Sequence, residues 1–224
     1  AKKKKENDGP AMDLRINMNI DATPDAVMKV VMDPVAGDNI TARGNGNFQV
    51  SFYNKGDFRM FGNYTIDEGM YKLSMQEIIR KDFVLQSGST VTFTGDPYQA
   101  NLDVKAAYTV NSVSLSDLST DASLTQSTVK VNCIMNLTGS LANPTIKFDL
   151  ELPTVNEEDR ELVRSATSTE EQMNTQIIYL LGIGKFYAYD YNENSNRSSS
   201  ATSSLAFSTL SGQLNNMLSQ VMEN

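Results

Sequence analysis

For most of its length the chain alternates apolar and polar residues one for one, and this pattern fixes what it can fold into. Leu14, Ile16, Met18, Ile20 and Ala22 would share one face of an extended strand, with Arg15, Asn17, Asn19 and Asp21 on the other. A period of two marks a half-buried β-strand and excludes an amphipathic helix. Thr23-Pro24-Asp25 breaks this first strand, and a second runs from Val27 to Met32, stopped by Asp33-Pro34 and Gly37-Asp38. The breaks use residues suited to turns. Alternation resumes through Phe48, Val50 and Phe52, turns at Asn54-Lys55-Gly56-Asp57, and returns through Phe58, Met60, Gly62, Tyr64 and Ile66. Asp67-Glu68-Gly69 then reads as a hairpin turn into Tyr71, Leu73 and Met75. Further strands are expected at Phe83–Leu85, Val91–Phe93, Leu102–Tyr108, Val129–Leu137 and Ile146–Leu150.

The connections are too short for helical crossovers, so the expected fold is mainly β: an antiparallel meander of about ten short strands. One face is apolar and the other wet. Leu102, Val104, Ala106, Tyr108 and Val110 oppose Asp103, Lys105, Ala107 and Thr109, and Val129, Val131, Cys133, Met135 and Leu137 oppose Lys130, Asn132, Ile134, Asn136 and Thr138. Such a sheet has to fold over, stack on something or hold an apolar ligand. About ten strands at about 4.8 Å each give a sheet about 48 Å wide, and about five to eight residues per strand give walls of about 17–26 Å. Those dimensions admit an acyl chain of about 15 Å, half the hydrocarbon thickness of a bilayer. The alternation itself is satisfied equally by a sealed barrel or sandwich core and by an open trough.

From Pro153 the period changes. Thr169-Glu170-Glu171-Gln172 fits a capping box, and Met173, Ile177, Leu180 and Leu181 follow at helical spacing, which predicts a helix to about Gly182. A shorter acidic helix is expected from Asn156 to about Ser165. Phe207, Leu210, Leu214, Met217 or Leu218, and Val221 form one helical stripe backed by Ser, Gln and Asn. The expected organisation is a flexible basic tail at 1–11, a curled β-sheet at 12–152, a helical segment at 153–190, a mobile polar loop at 191–204 and an amphipathic helix at 205–224. No run of about 18 apolar residues is present to cross a bilayer as a helix. The lysine-rich start is not a secretory signal, and the chain reads as an excerpt of a longer protein.

Composition narrows the chemistry. The chain has no His and one Cys, so imidazole bases, Ser-His and Cys-His dyads, His-containing zinc sites and a disulfide framework are all excluded. A formal charge of −8 argues against nucleic acid as a partner. Gly44-Asn45-Gly46 and Gly182-Ile183-Gly184 lack the third glycine of a dinucleotide fingerprint and read as turn and helix-end glycines. Glu157, Glu158, Asp159 and Glu161 suit the positive end of a helix dipole better than a metal. Cys133, in an apolar strand row, reads as a buried thiol. The Asn-x-Thr triplets at Asn39, Asn63 and Asn136 would be glycosylated only in a eukaryotic secretory setting. No catalytic residue, metal site or cofactor is expected.

The order of several short motifs resembles the C-terminal domain of the TamB family. They are Gly62-Asn63-Tyr64, Gly69-Met70-Tyr71, the run Phe83-Val84-Leu85-Gln86-Ser87-Gly88-Ser89-Thr90-Val91-Thr92-Phe93, Gly95-Asp96-Pro97 and Leu102-Asp103-Val104. Gly139-Ser140-Leu141-Ala142-Asn143-Pro144, Phe148-Asp149-Leu150-Glu151-Leu152-Pro153, and Leu180-Leu181-Gly182 with Phe186 continue the series, which covers roughly residues 12 to 220. The resemblance implies a periplasmic part of a long envelope protein of diderm bacteria, anchored in the inner membrane by an N-terminal helix. It is similar to AsmA-like and bridge-like lipid transfer proteins, whose β-sheets curl into a trough or taco with an apolar interior. It also implies phospholipid transport, support of outer-membrane biogenesis and a BamA/TamA-type barrel partner. On that basis the trough is preferred to a sealed barrel. The rows expected to shield phospholipid acyl chains are Phe48, Val50 and Phe52, Phe58 and Met60, Leu102, Val104 and Ala106, and Val129, Val131, Cys133, Met135 and Leu137. A scaffold or chaperone pairing an edge strand with a barrel protein is the alternative. An outer-membrane barrel would need strands of about 9–11 residues, longer than most expected here.

Overall fold

The computed structural model describes residues 12–188, apart from 34, 76–77 and 119–127. The basic tail at 1–11, the polar loop at 191–204 and the amphipathic helix at 205–224 lie outside the described residues. The fold is mainly β. Among the described residues there are nine strands: β1 (Arg15–Ala22), β2 (Met28–Asp33), β3 (Asp38–Tyr53), β4 (Phe58–Met75), β5 (Ile79–Leu85), β6 (Thr90–Gly95), β7 (Asn101–Ser114), β8 (Thr128–Ser140) and β9 (Asn143–Glu151). A short 3₁₀ turn at Pro97–Gln99 and two helices, α1 (Glu157–Ala166) and α2 (Glu170–Ile183), complete the described chain.

All pairings are antiparallel, in the order β1-β3-β4-β5-β7-β8-β9, with β2 also on β3 and β6 between β4 and β7. β1 and β2 lie end to end along one side of β3, and β5 and β6 end to end along one side of β4. The meander therefore has seven strand positions where about ten were expected, which narrows the sheet to about 34 Å. Its strands are correspondingly longer: β3 has 16 residues and β4 has 18, so β4 would span about 60 Å if straight. The outermost strands, β1 and β9, do not pair with each other among the described residues, so the sheet is open and not a barrel.

The longest departure from expectation lies at Asp67-Glu68-Gly69. The chain does not turn there, because β3 is the partner on both sides: Arg43 faces Glu68 and Gly44 faces Ile66, leaving Asp67 as an extra residue in a β-bulge. The bulge shifts the inward row of β4 from even positions, ending at Tyr64 and Ile66, to odd ones, Tyr71 and Leu73. Asn45 Nδ2 donates to the Asp67 carboxylate at 2.7 Å. A glycine is required opposite, since a Cβ on Gly44 would come within 2.0 Å of the Thr65 carbonyl oxygen.

This irregularity has neighbours at the same level. Between β1 and β2, the Pro24 and Asp25 carbonyls accept from Arg43 at 3.0 and 3.4 Å. Between β5 and β6, the Ile66 N–H donates to the Ser89 carbonyl at 2.8 Å and the Gly88 N–H to the Ile66 carbonyl at 2.9 Å. Ser89 Oγ then accepts from the Lys105 N–H of β7 at 3.1 Å. Extra residues bend and twist the strands that hold them. Lined up across neighbouring strands, these surplus residues favour a transverse bend of the sheet at this level, with the apolar residues on one face.

The helices begin where the sequence expects. Asn156 caps α1 by accepting from the Asp159 N–H at 2.7 Å, with Glu157, Glu158 and Asp159 in the first turn. Arg160 and Arg164 pair with Glu157 and Glu161 on its solvent side. Thr169 and Gln172 form the capping box of α2, and Gly184 ends it in the left-handed conformation at φ 71°.

Candidate functional site

The thirteen residues expected to line a trough all fall on one face. Cross-strand partners share a face, and the register sets Val50 beside Met60, Phe52 beside Phe58, Val104 beside Leu137 and Ala106 beside Met135. The opposite face carries Asn17, Asn19, Asn45, Asn47, Gln49 and Asn63, all exposed. The face continues beyond the expected rows into Ile40, Tyr64, Ile66, Tyr71, Phe83, Val91 and Phe93. The same alternation that identified the thirteen marks these too. Phe48 stacks on Tyr64 at 6.1 Å between ring centroids and meets Phe93 edge-on at 5.6 Å.

The face divides into two halves. Toward β7, β8 and β9 it is filled. Leu102, Val104, Ala106, Val129, Val131, Cys133, Met135 and Leu137 are all buried. Helix α2 rests on β5, β8 and β9. Thr175 to Leu181 are buried without interruption, nearly two turns of helix, so α2 is enclosed on every side. The spacing of Met173, Ile177, Leu180 and Leu181 identified one stripe only. The unbroken Ile177-Ile178-Tyr179-Leu180-Leu181 run is the sequence signal for a helix with no wet side.

One polar residue inside this half has a fixed task. Gln176, fully buried, accepts from the Tyr187 N–H at 2.8 Å and donates to the Tyr187 carbonyl at 3.1 Å. Both backbone groups of the returning chain are thus satisfied, and the Tyr187 ring meets that of Tyr179 at 4.7 Å. Burial pushes the Cys133 thiol up to about 12. It is a neutral packing group at physiological pH.

Toward β1 no described helix or loop covers the same face. Phe48 and Val50 are buried, Phe52 and Met60 are half-buried, and Phe58 is 46% exposed. On β1 itself Ile16, Met18 and Ile20 lie beside Phe52, Val50 and Phe48, and each is 37–43% exposed. Among the described residues, an apolar strip on the inward side of the sheet therefore stands open at its first edge. Among the described residues no cluster of three or more metal-ligating side chains occurs. No described helix is long and apolar enough to cross a membrane. The cleft between β9 and α1, about 450 Å³, has a mixed lining, with Asp149, Glu151, Arg160 and Arg164 beside Leu152, Val163 and Met173.

No curated protein and no solved structure matches the chain. The family comparison does match, and over the whole length: the profile of the TamB C-terminal domain aligns with residues 1–224. With a curled antiparallel sheet that is apolar on one face only, the chain belongs to the TamB C-terminal domain family.

Proposed function

We propose that this chain is a section of a periplasmic, apolar β-trough that shields phospholipid acyl chains on their way between the membranes of a diderm envelope, and so supports outer-membrane biogenesis. Membership of the TamB C-terminal domain family supports an envelope role. The observation that carries the lipid reading is the open strip of Ile16, Met18, Ile20 and Phe58, continuous with a buried apolar face and backed by a polar one. Met18 and Met60 add flexible, polarizable surface suited to disordered tails. Acyl chains would lie along the strip as far as α2, which stands where further lipid would otherwise go. No covalent step is needed.

The test is photocrosslinking from Met18 and Phe58 inside the strip, compared with Gln49 and Asn63 on the polar face, after exposure to phospholipid vesicles. Lipid adducts confined to Met18 and Phe58, and phospholipid found by mass spectrometry in the purified protein, are expected. Equal labelling of both faces, or protein free of lipid, would sink the reading. The side of β1 away from β3, which pairs with no strand among the described residues, favours a second reading, a scaffold that accepts a strand from a BamA/TamA-type barrel protein. In that case crosslinks to protein would form along the β1 edge while the apolar strip stayed unlabelled by lipid.

A further inference from the structure

The face of the sheet turned away from the apolar rows has an uncommon composition. Asparagine is disfavoured in strands, yet Asn17, Asn19, Asn45, Asn47 and Asn63 all stand exposed there, with Gln49 among them. The register gathers this face into two rows that cross β1, β3, β4 and β6: Asn19, Gln49, Phe61 and Thr94 in one, Asp21, Asn47, Asn63 and Thr92 in the other. Phe61 is an exposed aromatic ring among amides and hydroxyls. A depression of about 590 Å³ is lined by Asn19, Asp21, Asn47, Gln49 and Phe61. A second, of about 720 Å³, lies on the other side of the Phe61 ring and is bounded by Thr94 and the exposed Tyr98. Asn63 Oδ1 accepts from Thr92 Oγ1 at 2.8 Å, and Asn45 donates to Asp67. Asn19, Asn47 and Gln49 make no side-chain hydrogen bond among the described residues, so their amides keep donors and acceptors for a guest.

We propose that this outer groove binds an uncharged, β-linked glycan. A sugar ring has apolar faces of C–H groups, which suit the rings of Phe61 and Tyr98. Its rim carries hydroxyls, each donor and acceptor at once, which suit planar amides and the Asp21 carboxylate. Amides meet hydroxyls without the cost of burying an unpaired charge. The spacing agrees as well: neighbouring strands are about 4.8 Å apart and successive rings of an extended 1,4-linked chain advance by about 5 Å, so a chain laid across the strands meets one side chain per ring. From Asn19 to Thr94 the row spans about 14 Å, or about three rings. Tyr98 stands beyond Thr94 in the turn after β6. A nucleic acid would need cations along the groove, and a pairing peptide would need open backbone rather than a sheet face. The inference goes beyond the lipid reading and does not depend on it, because the apolar strip lies on the opposite face.

Titration of the full chain with chitotetraose, followed by NMR of the Asn and Gln side-chain amides, tests the groove directly. Saturable shifts at Asn19, Asn47 and Gln49 are expected, and they should persist in about 0.5 M salt because the ligand carries no charge. Isomaltotetraose, whose α-1,6 links do not give the same extended chain, should leave those signals in place. Phe61→Ala should weaken chitotetraose binding by about tenfold or more and Phe61→Tyr should restore it. Gln49→Ala should weaken it by about threefold or more, while Lys72→Ala, on the same face but outside the groove, should leave it unchanged. Absence of shifts, an equal response to both sugars, loss of binding in salt, or an affinity indifferent to Phe61→Ala and Gln49→Ala would overturn the inference.

Discussion

The two halves of the apolar face are written in the same alphabet and end in different states. Val129, Val131, Cys133, Met135 and Leu137 on β8 alternate as Ile16, Met18 and Ile20 do on β1. Yet Met135 is 0% exposed and Met18 is 43% exposed. Among the described residues the difference comes from α2, which seats on one half and not on the other. Alternation specifies which side of a strand is apolar; what lies against that side is decided by a distant part of the chain. A packed core and an uncovered apolar strip can thus share one sheet, the first holding the fold and the second available to a guest.

Substitutions in matched positions should separate the halves. Met135→Asp puts a carboxylate where neither water nor a partner reaches it, and should cost about 4 kcal/mol or more, enough to abolish the cooperative urea transition. If that variant folds normally, the filled half is not a core. Gln176→Ala strands the N–H and C=O of Tyr187 inside the same half; a loss of about 1–3 kcal/mol is expected, with faster hydrogen exchange at Tyr187 and little change in β3 or β4.

Cys133 sharpens the comparison through pH. Its raised folded value means the native state keeps a proton that the unfolded chain releases at an ordinary thiol value. Its contribution is whole below about pH 9 and declines as pH rises toward about 12. A Cys133→Ala variant should therefore lose less stability than the parent across that alkaline range. The smallest effect on folding belongs to Met18→Asp, in the open half: a shift under about 0.5 kcal/mol in urea unfolding, together with loss of lipid crosslinking from Phe58. Large destabilisation by Met18→Asp would mean that the strip is covered after all.

Much of this arrangement could be read from the residues. The apolar rows, the Asn156 and Thr169 caps and the acidic first turn of α1 follow from local chemistry, which the fold did not override. The strand count was less legible for a physical reason. A hairpin and a β-bulge both interrupt alternation with small polar residues, and Asp67-Glu68-Gly69 suits either. Only the identity of the partner strand distinguishes them, and pairing is nonlocal. The same holds near Ser112, where a second bulge moves the inward row of β7 from Val110 to Val113. The enclosure of α2 was legible in its five-residue apolar run, but the strands that enclose it were not, since β5, β8 and β9 are far from it or from one another in sequence.

The bend across the sheet also acts as a gauge for any strand that joins it. Chains that cross it carry surplus length at one level: Thr23 to Val27, Asp67, and Gln86 to Ser89. A straight strand of eight or so residues can therefore pair along a single wall, short of the surplus residues. A longer one follows both walls only if it brings its own insertion at the matching height. The sheet thus reads the spacing of irregularities in its neighbours as well as their side chains: a one-residue deletion at Asp67 would remove the surplus residue and straighten β4 there, while leaving Glu68 opposite Arg43 and Tyr71 opposite Ile40 on its inward side.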